Sequence, residues 1–273
     1  MFSPRAALLT GRYQQRFGHD TNDYHLACLD TGQRLLPAHL KAAGYATGMV
    51  GKWHLGDAPA HHPQRHGFDT FFGFQGGGHA YLVERPQDEA NPLQRGTTPL
   101  RLDGREFLTT TLGREAAAFI RSHAETPWFL YASFNAPHVP MTMPPGYESK
   151  VAHIPNKLRR LCVAMMMNPE DAVGDTLAAL RDTGQEDHTL VFFLSDNGGT
   201  GSPGAFVKNV SLSVPFRGVK GEVYEGGIRV PFVVQWKGVL PAGRTLEEPV
   251  SALDILPTAL AAAGVPPPPG VDR

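Results

Sequence analysis

The chain has 273 residues, 41% of them hydrophobic and 19% charged, a length that suits one large domain or two small ones and buries roughly three-quarters of the unfolded surface. A net charge of -1, from 25 Lys and Arg against 26 Asp and Glu, argues against a surface built to grip nucleic acid or an anionic membrane. Two cysteines, Cys28 and Cys162, exclude a disulfide scaffold and a Cys-based zinc site; they read as ordinary buried thiols, with one disulfide between them as the alternative. No apolar stretch approaches the roughly 18 residues that a membrane-spanning helix needs. The first ten residues, MFSPRAALLT, lack the charged start and apolar centre of a secretion signal, which leaves location open.

In chain order, Leu35 to Ala43 predicts a short amphipathic helix closed by Gly44. Tyr45 to Val50 predicts a short strand running into Gly51. The stretch from His61 to Arg101, rich in Gly, Pro, His and aromatics without clear period, reads as a long surface excursion. Phe107 to His123 carries apolar residues at helical spacing, with Pro127 after the stop. Trp128 to Phe134 is a continuous apolar run, as buried parallel strands show. Asn168-Pro169-Glu170-Asp171 reads as a helix start, with Asn at the N-cap and Pro in the first turn, and Gly184 ends that helix. Thr189 to Leu194 and Val230 to Trp236 predict two further buried strands, and Leu253 to Ala263 a late helix ended by Gly264. Such alternation predicts an α/β architecture on a mostly parallel sheet, with no linker dividing the chain.

In a sheet of that kind the active site lies beyond the carboxyl ends of the strands. Four polar clusters fall there: Gly51-Lys52-Trp53-His54-Leu55-Gly56, Asn135-Ala136-Pro137-His138, Ser195-Asp196-Asn197-Gly198-Gly199, and Arg217-Gly218-Val219-Lys220-Gly221 leading to Tyr224-Glu225-Gly226-Gly227. Each alone reads equally as a surface lysine or a glycine turn. Together they place two lysines, two histidines and an Asp-Asn pair at one sheet edge, a combination that turns do not require. Lysines offer point charges to the oxygens of a tetrahedral anion, and histidines can hydrogen-bond a leaving oxygen. Asp196 and Asn197 supply the side-chain oxygens that a hard cation takes. Cleavage of a phosphate or sulfate ester is the chemistry implied.

These segments, with Gly44-Tyr45-Ala46-Thr47, His66-Gly67-Phe68-Asp69, Phe71-Phe72-Gly73-Phe74 and Glu225-Gly226-Gly227-Ile228-Arg229-Val230-Pro231, resemble in order the motifs of the type I (formylglycine-dependent) sulfatase and arylsulfatase family. Ser3 to Arg12 is similar to the tail of that family's first signature, and the resemblance runs from Ser3 to about Gly264. It implies an alkaline-phosphatase-like α/β fold, with a mostly parallel central sheet flanked by helices. It also implies hydrolysis of sulfate monoesters, the partner being a sulfated carbohydrate or an aryl sulfate. By the same resemblance Lys52 and Lys220 hold the sulfate oxygens, and His138 contacts the sulfate and assists departure of the alcohol. His54 assists turnover of the covalent intermediate, Arg5 positions the nucleophile, and Arg12 is a structural partner. Asp196 and Asn197 would be two ligands of a calcium ion, and Glu225-Gly226-Gly227 a turn that places Lys220. A periplasmic or secreted location is implied if a signal peptide lies upstream.

The chain departs from the family pattern at its start. The family nucleophile is a Cys or Ser four residues before the signature arginine, and that position before Arg5 is Met1. Ser3 stands beside Pro4 at the wrong spacing, and neither Cys28 nor Cys162 has the motif around it, so no formylglycine precursor is identifiable. The family's first strand, ending in an aspartate pair that completes the calcium site, would precede Met1, and a small antiparallel sheet would follow Arg273. The expectation is that residues 1–273 are one sulfatase catalytic domain lacking those two parts, with impaired turnover. A phosphomonoester or phosphonate-ester hydrolase of the same fold, and a non-catalytic anion-binding protein, are the alternatives.

Overall fold

The computed structural model describes residues 4–19, 28–82, 91–102, 106–201 and 211–272. Its centre is strand β1 (Ala46–Lys52), which pairs in parallel with β2 (Thr70–Phe74) on one side and β5 (Trp128–Ser133) on the other. Two short antiparallel strands, β3 (Gln94–Arg95) and β4 (Thr98–Pro99), extend the sheet beyond β2. The three long parallel strands make this a mixed, mostly parallel sheet of an α/β fold. Strands β6 (Val191–Leu194) and β7 (Phe232–Gln235) form a separate antiparallel pair.

Helices α1 (Pro4–Thr10), α2 (Leu36–Ala42) and α6 (Ile255–Ala262) pack on one face of the sheet. Ala6, Leu9, Leu36, Leu256 and Leu260 meet Met49, Trp53 and Phe68 there in one buried cluster. On the other face, α3 (Leu108–Ser122) sends Leu108 and Leu112 against Val50, Phe72 and Phe74. Helix α4 (Lys157–Asp182) covers α3 in turn, with Ala179 and Leu180 against Ala117 and Ile120. The α1 end is closed by the other end of the described chain. Asp272 accepts a hydrogen bond from the Tyr13 amide at 2.7 Å and pairs with Arg16 at 3.0 Å.

Four expectations need correction. The stretch from His61 to Arg101 is not merely a surface excursion: its TFFGF segment is β2, with Phe71, Phe72 and Phe74 buried. Flanked on both sides, that strand shows no polar–apolar alternation, and its five residues are lost among glycines and histidines. The pattern at Asn168-Pro169 does not start a helix. Helix α4 begins at Lys157, where the Asn156 side chain accepts from the Arg159 amide at 2.9 Å, and it runs through Pro169. Asn168 is instead buried and donates to Thr110 Oγ1 at 3.0 Å and to the Tyr147 hydroxyl at 3.2 Å. The strands Trp128–Ser133 and Val191–Leu194 are half-buried rather than buried, and Phe232–Gln235, expected buried within Val230 to Trp236, is mostly exposed, because each is the edge of its own sheet among the described residues. Finally, Cys28 and Cys162 are free thiols, Cys162 buried and Cys28 only half so.

Candidate active site

The alternation of a strand explains the GKWHLG segment. Lys52 ends β1, and the next two amides continue the ladder toward the neighbouring segment: Trp53 donates to the Phe74 carbonyl at 3.0 Å and His54 to that of Gln75 at 2.8 Å. Trp53 points into the core, fully buried, with its indole N–H donating to the His61 carbonyl at 2.8 Å. Lys52 and His54 both lie within reach of the charges of Arg5 and Lys220. His54 adopts φ of 59°, a left-handed backbone rare for a residue with a side chain and worth about 1 kcal/mol or more of strain, which is concentrated at functional sites in folded proteins.

Three other elements reach the same place. Arg5, in the first turn of α1 and buried, donates through Nε to Ser133 Oγ at 3.3 Å and pairs with Asp196 at 2.9 Å. It thereby bridges the carboxyl end of β5 and the loop after β6. His138 follows β5, its ring Nδ1 lying 3.0 Å from the Val139 carbonyl. A carbonyl only accepts, so Nδ1 carries the proton in the neutral ring and Nε2 the lone pair. Lys220 is held by its own backbone, its amide donating to the Gly199 carbonyl at 2.8 Å. The one-turn helix α5 (Glu225–Ile228) supports that loop, because the Gly226 amide donates to Arg217 at 2.7 Å. Gly198 must be glycine here: a β-carbon would collide with the Gly226 carbonyl.

The electrostatics are those of a cationic pocket. Burial, reinforced by Arg5 and Lys220, holds the Lys52 ammonium well below its ordinary range. Lys220 is lowered by burial too, with Arg5 adding to the effect and Asp196 opposing it. Burial first, then Lys52, Arg5, Lys220 and His138, push His54 down to about 2. His138 is pushed down to about 4 by burial and by Lys52. Both rings are therefore neutral at physiological pH. Burial alone would raise the Asp196 carboxyl, but Arg5, Lys52 and Lys220 hold it below the usual carboxylate range. Among the described residues three cations thus face one carboxylate, an arrangement that favours an incoming anion.

The residues present do not fit a calcium ion by themselves. Asp196 already receives the Arg5 guanidinium, and the Asn197 amide donates to the Gly198 carbonyl at 2.9 Å. Calcium takes six to eight oxygens, and among the described residues no group of three His, Cys, Asp or Glu side chains converges.

The structure brings Arg5, Lys52, His54, His138, Asp196 and Lys220 together, as the sequence suggested, but between the ends of two sheets rather than at one sheet edge. Arg12 stays apart from them, donating to Gln33 Oε1 at 3.0 Å. Met1 and Ser3 lie outside the described residues. Sequence reasoning missed Ser133, a polar residue at the end of an apolar strand. It also missed Tyr131, whose phenol, raised by burial, lies beside Arg5. Nor did it find Gln75 and Tyr81, which sit in a stretch without period.

The sequence model described as Sulfatase matches residues 4–265. Rat N-acetylgalactosamine-6-sulfatase is 34% identical over 97% of this chain and 53% of its own length. Mouse arylsulfatase J is 30% identical over 95% of this chain and 44% of its own. The crystal structure of Ps i-CgsB in complex with k-i-k-neocarrahexaose superposes with a TM-score of 0.86 at 34% identity, covering 97% of this chain and 61% of that one. A phosphonate monoester hydrolase from Silicibacter pomeroyi, at 19% identity and a TM-score of 0.69, shares the fold. The chain spans about half the length of the curated relatives it matches. The order of motifs, the α/β fold and these matches agree: the chain belongs to the sulfatase family of sulfuric ester hydrolases.

Proposed function

We propose that this chain carries the sulfate-holding part of a sulfatase site and that its ligand is the sulfate monoester of a carbohydrate. The observation that carries this reading is the convergence of Arg5, Lys52 and Lys220, with only Asp196 opposing them among the described residues. Lys52 and Lys220 hold non-bridging oxygens as point charges. His138, neutral with Nδ1–H given to Val139, receives a proton at Nε2 once an anion is bound beside it, and from there donates to the ester oxygen of the departing alcohol. His54, neutral and backbone-anchored to Gln75, serves the later release of sulfate. Arg5 orients the nucleophile, and Asp196 with Asn197 would supply two oxygens to the family's calcium only if Asp196 were released from Arg5. Residues 1–273 are read as one catalytic domain, working in a periplasmic or secreted setting if a signal peptide precedes it.

Relatives named N-acetylgalactosamine-6-sulfatase and a structure in complex with k-i-k-neocarrahexaose support a carbohydrate. A second reading, an anion binder without turnover, is favoured by one observation: Arg5 occupies the Asp196 carboxylate that a metal would need. The test pairs a galactose 6-sulfate disaccharide with its desulfated and phosphorylated counterparts in saturation-transfer NMR, and follows a chromogenic aryl sulfate in parallel. The expected result is transfer to the sulfated sugar, loss of it in Lys220→Ala, and no family-like turnover. Equal transfer to the desulfated sugar contradicts the proposal.

A further inference from the structure

The Gly76-Gly77-Gly78-His79 run has no part in the roles assigned above, yet it lies in a segment that touches both histidines of the site. That segment, Gln75 to Tyr81, leaves the end of β2 and links the His54 backbone to the His138 turn. At its start, the Gln75 carbonyl accepts from the His54 amide at 2.8 Å, and the Gln75 side chain donates to the Gly56 carbonyl at 3.2 Å. At its end, the Tyr81 hydroxyl donates to the His138 carbonyl at 2.9 Å. Between these points the backbone passes so close to the His138 ring that a β-carbon on Gly78 would lie 3.2 Å from Nδ1. That is the nitrogen that donates to Val139.

The segment is itself fixed. Asn91 clamps the glycines from outside, accepting from the Gly76 amide at 2.8 Å and donating to the Gly78 carbonyl at 2.7 Å. The Asn135 side chain, buried at the base of the His138 turn, donates to the His79 carbonyl at 3.0 Å. The His138 amide returns to the Asn135 carbonyl, also at 3.0 Å. Tyr81 is fully buried and its ring stacks on Phe107, with centroids 5.2 Å apart and planes 19° apart. A fully buried hydroxyl that spends its one proton on the backbone of a site histidine does more than fill volume, since Phe would fill the same space without a polar cost.

We infer that the Gln75–Tyr81 segment is the mount that sets His138 relative to His54, with Tyr81 as a positioning residue acting through the His138 carbonyl and Gly78 leaving room close beside the ring. The inference rests on the anion-site reading of the same pocket. Displacing an imidazole by about 1 Å is enough to weaken its contact with a bound group.

The test uses the chain as it exists. Sulfate affinity is measured by calorimetry for the wild type, Tyr81→Phe, Gly78→Ala, Lys52→Ala and Thr47→Val, with circular dichroism confirming folding and nitrogen-15 NMR reporting the His138 ring. Thr47→Val removes a hydroxyl hydrogen bond of the same kind, to the Gly67 carbonyl at 2.7 Å, from the far end of β1. Expected are a fall in sulfate affinity of about threefold to tenfold for Tyr81→Phe and a larger fall for Gly78→Ala, with altered His138 ring signals in both and neither change in Thr47→Val. Tyr81→Phe and Gly78→Ala with wild-type His138 signals overturn the mount, whatever the affinities. If Lys52→Ala loses sulfate while Tyr81→Phe binds as the wild type does, the positioning role is overturned and the anion site stands. If Lys52→Ala binds undiminished, the anion-site reading fails, and with it the inference that rests on it.

Discussion

Replacing Lys52 by Met is expected to stabilise the protein while damaging the pocket. Lys52 is 3% exposed, and it shares its surroundings with Arg5 and Lys220 against the one carboxylate of Asp196. Asp196 is already matched by Arg5 at 2.9 Å, so Lys52 is a buried ammonium without a carboxylate of its own among the described residues. Methionine keeps the aliphatic stem and removes the charge. Replacing a buried ion by an apolar residue of similar shape yields from nothing to about 4 kcal/mol, and the poor compensation here points to about 1–3 kcal/mol. For a chain of this length the unfolding entropy is roughly 0.6 kcal/mol per degree, so Tm should rise by about 2–5 °C. The gain has a sign in pH. The folded-state value of Lys52 is depressed, so the wild-type penalty is complete at low pH and disappears as pH climbs through that value toward the ordinary lysine range. Differential scanning fluorimetry from pH 6 to 10 should show the Tm difference narrowing at the alkaline end. Sulfate affinity should fall about tenfold or more, as expected for a lost charge-assisted hydrogen bond. A lower Tm together with unchanged sulfate affinity would refute the reasoning, because it would make Lys52 a structural residue outside the pocket.

His138 and the buried His66 are both held near 4, burial being the largest cause for each. Unfolded imidazoles take up protons from about 6.5 downward, so stability should fall as pH drops from 6.5 to 4, by on the order of 2 kcal/mol per histidine, the histidine contribution itself being flat above 7; urea melts that hold constant between pH 6.5 and 4 contradict this. Asp272 is buried against the Tyr13 amide and Arg16, so Asp272→Ala should cost about 1–3 kcal/mol and lower Tm by about 2–5 °C, checked by the same fluorimetry. Calcium should bind feebly, in the millimolar range or weaker, because the described residues offer only Asp196 and Asn197 and the first is paired with Arg5; a stoichiometric calorimetric isotherm that survives Asp196→Ala places the site elsewhere.

Where a residue's role follows from strand alternation or from punctuation by glycine, the sequence was a good guide. Leu35 to Ala43 with Gly44 is helix α2 to within a residue at each end, and the GKWHLG segment sits where the end of β1 should put it. The six residues Arg5, Lys52, His54, His138, Asp196 and Lys220 were all legible as strand-end or motif residues before any coordinates. What the sequence hid is long-range. β2 is apolar only because β1 and β3 flank it, and no local signal reports that. Asn168 looks like a helix start, but its side chain is taken up by Thr110 and Tyr147 from other segments, so tertiary packing carries α4 past Pro169. Tyr81 and Gly78 gained their significance from a contact with His138 nearly 60 positions away.

Arg5, Lys52 and Lys220 should together create one anion site. The most direct measurement is a calorimetric titration of sodium sulfate at constant ionic strength into the wild type, Lys52→Ala, Lys220→Ala and the double variant. One site of weak affinity is expected in the wild type, about tenfold weaker in each single variant. The double variant should fall short of the sum of the two losses, because the lysines share one ligand. Four superimposable isotherms, or sulfate binding that ignores both lysines, would contradict the account.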